Sequence, residues 1–201
     1  MPITALCLLS AFFLAAFVWR GWIQWRRTGD HGFRGISGSA GSPEWWGGVL
    51  LFVGLVAALA APLLELAGGL APWPPLASPG WRALGLACGG AGFALTLAAQ
   101  LQMGASWRVG VDAGERTELV TAGLFRFVRN PIFSAMLLAL AGLGLLVPNA
   151  VSLLALAASL AGLEIQVRRV EEPHLLRVHG EPYRAWAART GRFLPGVGRL
   201  G

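Results

Sequence analysis

Charge is scarce in this chain. Only 13% of its 201 residues are Asp, Glu, Lys or Arg, against about 25% in an ordinary soluble domain. Hydrophobic residues make up 55% and mean hydropathy is +0.61, so the deficit points to a membrane protein. Lysine is absent: all 16 basic residues are arginine. A formal charge of +6 would suggest nucleic acid in a soluble chain; here the arginine distribution argues for orientation in a bilayer, and no nucleic-acid partner is expected. Cys7 and Cys88 both sit in apolar runs, with no CxxC and no Cys/His cluster. That excludes a disulfide framework and gives no metal site, and the two thiols read as buried and inert. No basic stretch precedes the first apolar run and no small-residue cleavage site follows it, so this run reads as a retained helix. Neither an internal repeat nor a set of intramembrane charge pairs is evident, which argues against a transporter.

Apolar runs are what the chain has in quantity. A spanning helix needs about 20 mostly apolar residues, with roughly 17 tolerated. Five runs qualify: Ile3 to Trp19, Trp45 to Leu66, Trp81 to Met103, Pro131 to Val147 and Ala150 to Val167. Tryptophans stand at several of their ends, as interfacial aromatics do. The expected fold is an all-α polytopic membrane bundle of about five helices with a C-terminal interfacial helical segment. It forms one domain over 1–201, with N-terminal helices and loops in 1–80 and a core in 81–195.

The arginines give this bundle a polarity. Segments 20–44, 103–130 and 168–201 hold 15 of the 16, and only Arg82 falls on the opposite side. Under the positive-inside rule the arginine-rich face is cytoplasmic, the N-terminus lies outside and the C-terminus inside. The plasma (inner) membrane is the expected location. The roughly 60 residues of 103–130 and 168–201 are too few for a catalytic domain with its own core. Any chemistry must therefore use the bundle as a wall.

Two polar blocks flank the last apolar hairpin: LVTAGLFRFVRNPIF, Leu119 to Phe133, and EEPHLLRVHGEPYRAW, Glu171 to Trp186. A hairpin turning at Pro148-Asn149 returns both blocks to one membrane face. Asn130-Pro131 is a strong helix start, with Asn as N-cap and Pro at the first helical position. Such a start also offers free N–H groups and a positive dipole end to a carboxylate or phosphate. Gly180 reads as a helix end, and Glu181-Pro182-Tyr183 as a new turn. Arg184, Trp186, Arg189 and Arg192 then form a basic amphipathic helix suited to anionic headgroups. His174 and His179 are five apart, which is not a zinc spacing.

With these blocks in order, the chain resembles the isoprenylcysteine carboxyl methyltransferase and phospholipid methyltransferase superfamily over about residues 81–195. The shared pattern is LVTxGxYxxxRHPxY followed by EExxLxxxFGxxYxxYxxxxxRxLP. The resemblance implies S-adenosyl-L-methionine as methyl donor, held at the cytoplasmic face by Val120, Gly123, Arg129, Asn130, Pro131, Phe133, Glu171, Glu172 and Tyr183. A GxG in the preceding helix would correspond to Gly90-Ala91-Gly92. This chain has Asn130 where relatives have His, Phe133 for Tyr and Trp186 for Tyr. Asn cannot carry charge, and Phe133 keeps the ring without the hydroxyl.

Methyl transfer is an in-line displacement that depends on alignment, and positioning supplies about 7–11 kcal/mol. A carboxylate acceptor needs an arginine to hold it, and Arg168 or Arg169 beside the acids is expected to do so. An amine or thiol acceptor must lose a proton, for which Glu171 or Glu172 would serve as base. The implied partners are a hydrophobic small-molecule or lipid substrate and membrane lipids; the oligomeric state stays open, with Gly85 and Gly89 able to pack inside the bundle or between copies. Two other readings stand beside this one: an NADPH-dependent membrane reductase of related architecture, and a non-catalytic scaffold or binding protein.

Overall fold

The computed structural model describes residues 1–33, 38–109 and 118–201; Arg34 and Arg116, counted above among the one-sided arginines, lie outside them. All regular structure in the described residues is helical apart from isolated bridges. Helix α1 (Pro2–Phe13) passes through a π-turn (Leu14–Trp19) into α2 (Arg20–Thr28) without a break. The sequence places the end of this helix at Trp19. It continues because Arg20 and Gln24, one turn apart, face inward and find partners. Arg20 donates to Gln24 Oε1 at 3.1 Å and to the Gly104 carbonyl at 2.5 Å, and its guanidinium lies 4.6 Å from the Trp107 ring. Gln24 donates to the Ala105 carbonyl at 2.7 Å. Two polar side chains thereby clamp the end of the first helix to the end of α4 (Pro79–Met103).

Helix α3 (Pro43–Leu66) starts where Ser42 Oγ accepts from the Trp45 N–H at 3.2 Å. The hairpin follows as α5 (Pro131–Leu146) and α6 (Ala150–Ile165). Asn149 builds its turn by accepting from the N–H groups of Val151 and Ser152, both at 3.0 Å. A second π-turn (Gln166–Glu171) carries α6 into α7 (Glu172–His179), so the second polar block continues the helix of the last span. Gly180, at φ +56°, ends it, and α8 (Glu181–Ala187) follows, as the sequence implies. Among the described residues, four runs are long and apolar enough to cross a membrane: Pro2–Thr28, Pro43–Leu66, Pro79–Ser106 and Ala150–His179. The fifth, α5, has 16 residues, about 24 Å of helix against a hydrocarbon core of about 30 Å.

Small residues set the packing. A Cβ on Gly92 would strike the backbone of Ala139 and Ala135, and one on Gly142 would strike the backbone of Gly89. The α4 glycines thus face α5 inside the bundle, the close approach that small-residue rows allow. Gly90 points to open space, so the GxG does not act as a pair. Cys7 is exposed and Cys88 half-buried, which corrects the expectation of buried thiols: both runs turn part of their apolar surface outward.

Backbone bonds fix which ends meet. Trp73 N–H donates to Pro148 O at 2.7 Å, joining the two arginine-free turns. At the other end Val109 N–H donates to Gly32 O at 2.7 Å, and Arg129 N–H to Gly191 O at 2.8 Å. The arginine-rich segments therefore share one end of the bundle.

Candidate functional site

The site begins at the start of α5. Arg129 is 4% exposed, and its two terminal nitrogens spend their donors on the carbonyls of Ala187 (2.9 Å), Thr190 (2.5 Å) and Gly198 (2.9 Å) and on Glu172 Oε1 (2.6 Å). Arg192 grips the same carboxylate with two further bonds, Nε to Oε1 at 2.8 Å and Nη2 to Oε2 at 2.9 Å. Those hydrogen bonds hold the Arg192 guanidinium above its ordinary pKa. Glu172 is therefore saturated by two cations and closes a clasp between α5, α7 and the C-terminal strap, residues 188–201 beyond α8. Truncating one partner of such a buried pair strands the other's charge. Tyr183 stands beside the clasp in a cluster with Ala99, Phe125, Trp186 and Ala187. Burial, and then the Glu172 carboxylate, push its phenol up to about 12, so it is neutral at physiological pH.

Above the clasp lies a cavity of about 580 Å³, within the roughly 300–1,000 Å³ range of small-molecule sites. Its polar end is lined by Gln100, Arg129, Asn130, Glu171, His174 and Trp186. Its apolar arm runs between α1, α3 and α5 past Leu8, Phe12, Phe13, Phe52, Leu55 and Leu140. Phe13, Phe52 and Leu55 are also exposed on the outside of the bundle, so the arm reaches the lipid-facing surface. The two adjacent glutamates diverge here. Among the described residues Glu171 takes no hydrogen bond and no ion pair, and it faces the cavity. The π-turn that ends at Glu171 resets the helix register just before Glu172, a device often found at functional sites.

The sequence names Asn130 as a side-chain cap, and this is corrected. Its amide makes no cap bond and donates to the Arg192 carbonyl at 3.2 Å, because the strap lies closer than the first-turn N–H groups. Ile132 and Phe133, whose N–H groups receive no side-chain cap, both line the cavity.

Of the residues assigned from sequence, Val120, Arg129, Asn130, Pro131, Phe133 and Glu171 line the cavity. Gly123, Glu172, Tyr183, Arg168 and Arg169 do not. Gly123, at φ +61°, shapes the turn that lets Leu124 N–H donate to Gln102 Oε1 at 2.8 Å. Arg168 is exposed and ion-paired with Glu164 one turn back, and Arg169 is exposed too; on this helix they point away from the acid that faces inward. The expected basic amphipathic helix is likewise corrected. Helix α8 stops at Ala187, Trp186 is buried, and Arg192 turns in to Glu172. Sequence reasoning missed Gln100, His174 and Trp186 as wall residues. The i, i+3 spacing of Tyr183 and Trp186 was the available signal, since it puts both on one helix face.

Comparisons with known proteins bear on this arrangement. The sequence pattern of the phospholipid methyltransferase family matches residues 81–182, just over half of the chain. Among solved structures, the chain is similar to a eukaryotic intramembrane Ras methyltransferase, the isoprenylcysteine carboxyl methyltransferase. The TM-score is 0.53 at 17% identity, over 98% of this chain and 78% of that one. This likeness concerns the fold: an all-helical, polytopic membrane protein. No curated protein sequence matches.

Proposed function

This chain belongs to the phospholipid methyltransferase family, and we propose that it transfers a methyl group from S-adenosyl-L-methionine to a lipophilic acceptor at its arginine-rich membrane face. The family makes it a membrane methyltransferase; the donor and the class of acceptor are our reading. One observation carries that reading: a single cavity joins an open acid and an uncapped helix start to an apolar arm that reaches the lipid surface. By the positive-inside rule we assign the arginine-rich face to the cytoplasm, the N-terminus outside and the membrane as the plasma (inner) membrane.

The residues present fit such a donor. Arg129 Nε is buried without an acceptor among the described residues. The open N–H groups of α5 and its positive dipole end suit a carboxylate. Glu171 offers acceptors for ribose hydroxyls. When bound, the donor supplies a methyl group activated on a sulfonium. The protein's part is positioning. The Arg129–Glu172–Arg192 clasp holds the start of α5 and the π-turn in fixed relation, and the apolar arm receives the acceptor's hydrocarbon from the side, so that its reactive head meets the polar end. Glu172, with both oxygens engaged, is assigned to positioning, and Arg168 and Arg169 to the surface. Glu171 is the member of the acid pair that can serve an acceptor that must lose a proton.

Calorimetry on the protein in detergent, with S-adenosylhomocysteine and NADPH titrated separately, tests this. Saturable binding of the first and none of the second is expected. No binding of S-adenosylhomocysteine at millimolar concentration overturns the reading, and NADPH binding in its place makes the protein a reductase.

A further inference from the structure

Two buried polar atoms, on side chains that line the cavity, have no partner among the described residues. Gln100 is 2% exposed. Its Nε2 donates to the Ala16 carbonyl at 3.0 Å, which fixes the amide plane and leaves Oε1 unpartnered. Trp186 is 5% exposed, and its Nε1–H has no acceptor. Both side chains line the cavity. They lie at the same end, because Trp186 shares a buried cluster with Ala99, the neighbour of Gln100 on α4. Leaving a buried donor or acceptor unmade costs about 1–3 kcal/mol. Proteins retain such atoms where something else satisfies them.

The two atoms are complementary: one neutral acceptor, one neutral donor. They match a neutral group that shows a donor beside an acceptor, and they do not match a charged head. The walls around them, Trp107, Phe125 and Met103, are aromatic or apolar and suit a flat ring. On the adenosyl-donor reading, the adenine is the flat, neutral part of the ligand, and its edge carries an N–H₂ donor next to a ring-nitrogen acceptor. We propose that Gln100 Oε1 accepts from the adenine amino group and Trp186 Nε1–H donates to a ring nitrogen, so that this pair selects the base of the methyl donor. The inference rests on the proposed function and names residues that the two motif blocks do not assign to the cofactor.

The test compares two ligands on each protein sample: S-adenosylhomocysteine and its inosyl analogue, in which the amino donor becomes a carbonyl acceptor and the adjacent nitrogen becomes a donor. A ratio of affinities within one sample does not depend on how much of that sample is folded. Wild type should prefer the adenosyl ligand by at least about tenfold, as one exchanged hydrogen bond implies. Trp186→Phe removes only an N–H that takes no acceptor among the described residues, and Gln100→Leu removes the acceptor; each should lower the ratio, and the two together should bring it close to one. A wild type without preference, or a preference undiminished in the double variant, overturns this inference while leaving the donor reading intact. A wild type that binds neither ligand removes both.

Discussion

The cavity has two unlike walls. Residues 1–80 contribute mostly aromatic and aliphatic side chains from α1 and α3, with Glu44 at the rim. Residues 81–201 contribute apolar side chains as well, such as Phe93, Met136 and Leu140, but also every polar lining residue except Glu44, among them Gln100, Arg129, Asn130, Glu171 and His174. The family pattern falls on the second wall. Polar chemistry is thus concentrated in the half that relatives share, and the apolar arm is completed by the half outside the match. The difference teaches how labour divides in such a site: a hydrogen-bonding end needs specific side chains, whereas an arm for hydrocarbon needs only volume and apolar surface.

Five variants break or sharpen this contrast. The largest effect belongs to Arg129→Met, which takes their donor from three carbonyls and leaves the buried Glu172 carboxylate to Arg192 alone. A loss of about 3–5 kcal/mol is expected, seen as a large fall in thermal unfolding temperature in detergent and as loss of S-adenosylhomocysteine binding. Next is Glu171→Gln. Because Glu171 takes no hydrogen bond and no ion pair among the described residues, the unfolding temperature should stay put while S-adenosylhomocysteine affinity drops by about tenfold, the scale of one charge-assisted bond. Glu172→Gln should show the reverse balance, with a clear stability loss; equal behaviour of the two glutamates would dissolve their assignment to different jobs. On the apolar wall, Leu55→Arg should leave S-adenosylhomocysteine affinity within about twofold, since uncoupled sites add independently. It should also abolish labelling of the arm by a photoreactive long-chain lipid, and undiminished labelling would place the hydrocarbon elsewhere. The smallest effect is expected from Arg168→Ala with Arg169→Ala. Exposed charges contribute within about 0.5 kcal/mol, so neither stability nor ligand affinity should move, and a lost affinity would bring these arginines back into the site.

Much of the architecture was legible in the residues. Hydropathy located the apolar runs, because a helix that crosses lipid must carry about 20 apolar residues. One-sided arginines indicated which loops would meet, and the backbone bonds between 32 and 109 and between 129 and 191 join those loops. Helix ends were less legible where polar residues were satisfied by distant parts of the chain. Arg20 and Gln24 look like loop residues until the carbonyls of 104 and 105 are placed beside them.

The local sequence determined the hairpin, its Asn149 cap, the helix stop at Gly180 and the pairing of the two polar blocks, since each depends on neighbours within a few residues or on the length of an apolar run. Only the tertiary structure decided which member of a pair does what. Glu171 and Glu172 are identical side chains one residue apart. A π-turn and two arginines from distant segments leave the first open to the cavity and consume the second. Trp186 and Arg192 were turned inward by the same folding of the strap over α5. Hydrogen-bond saturation depends on where partners from far along the chain end up, and no local pattern records that.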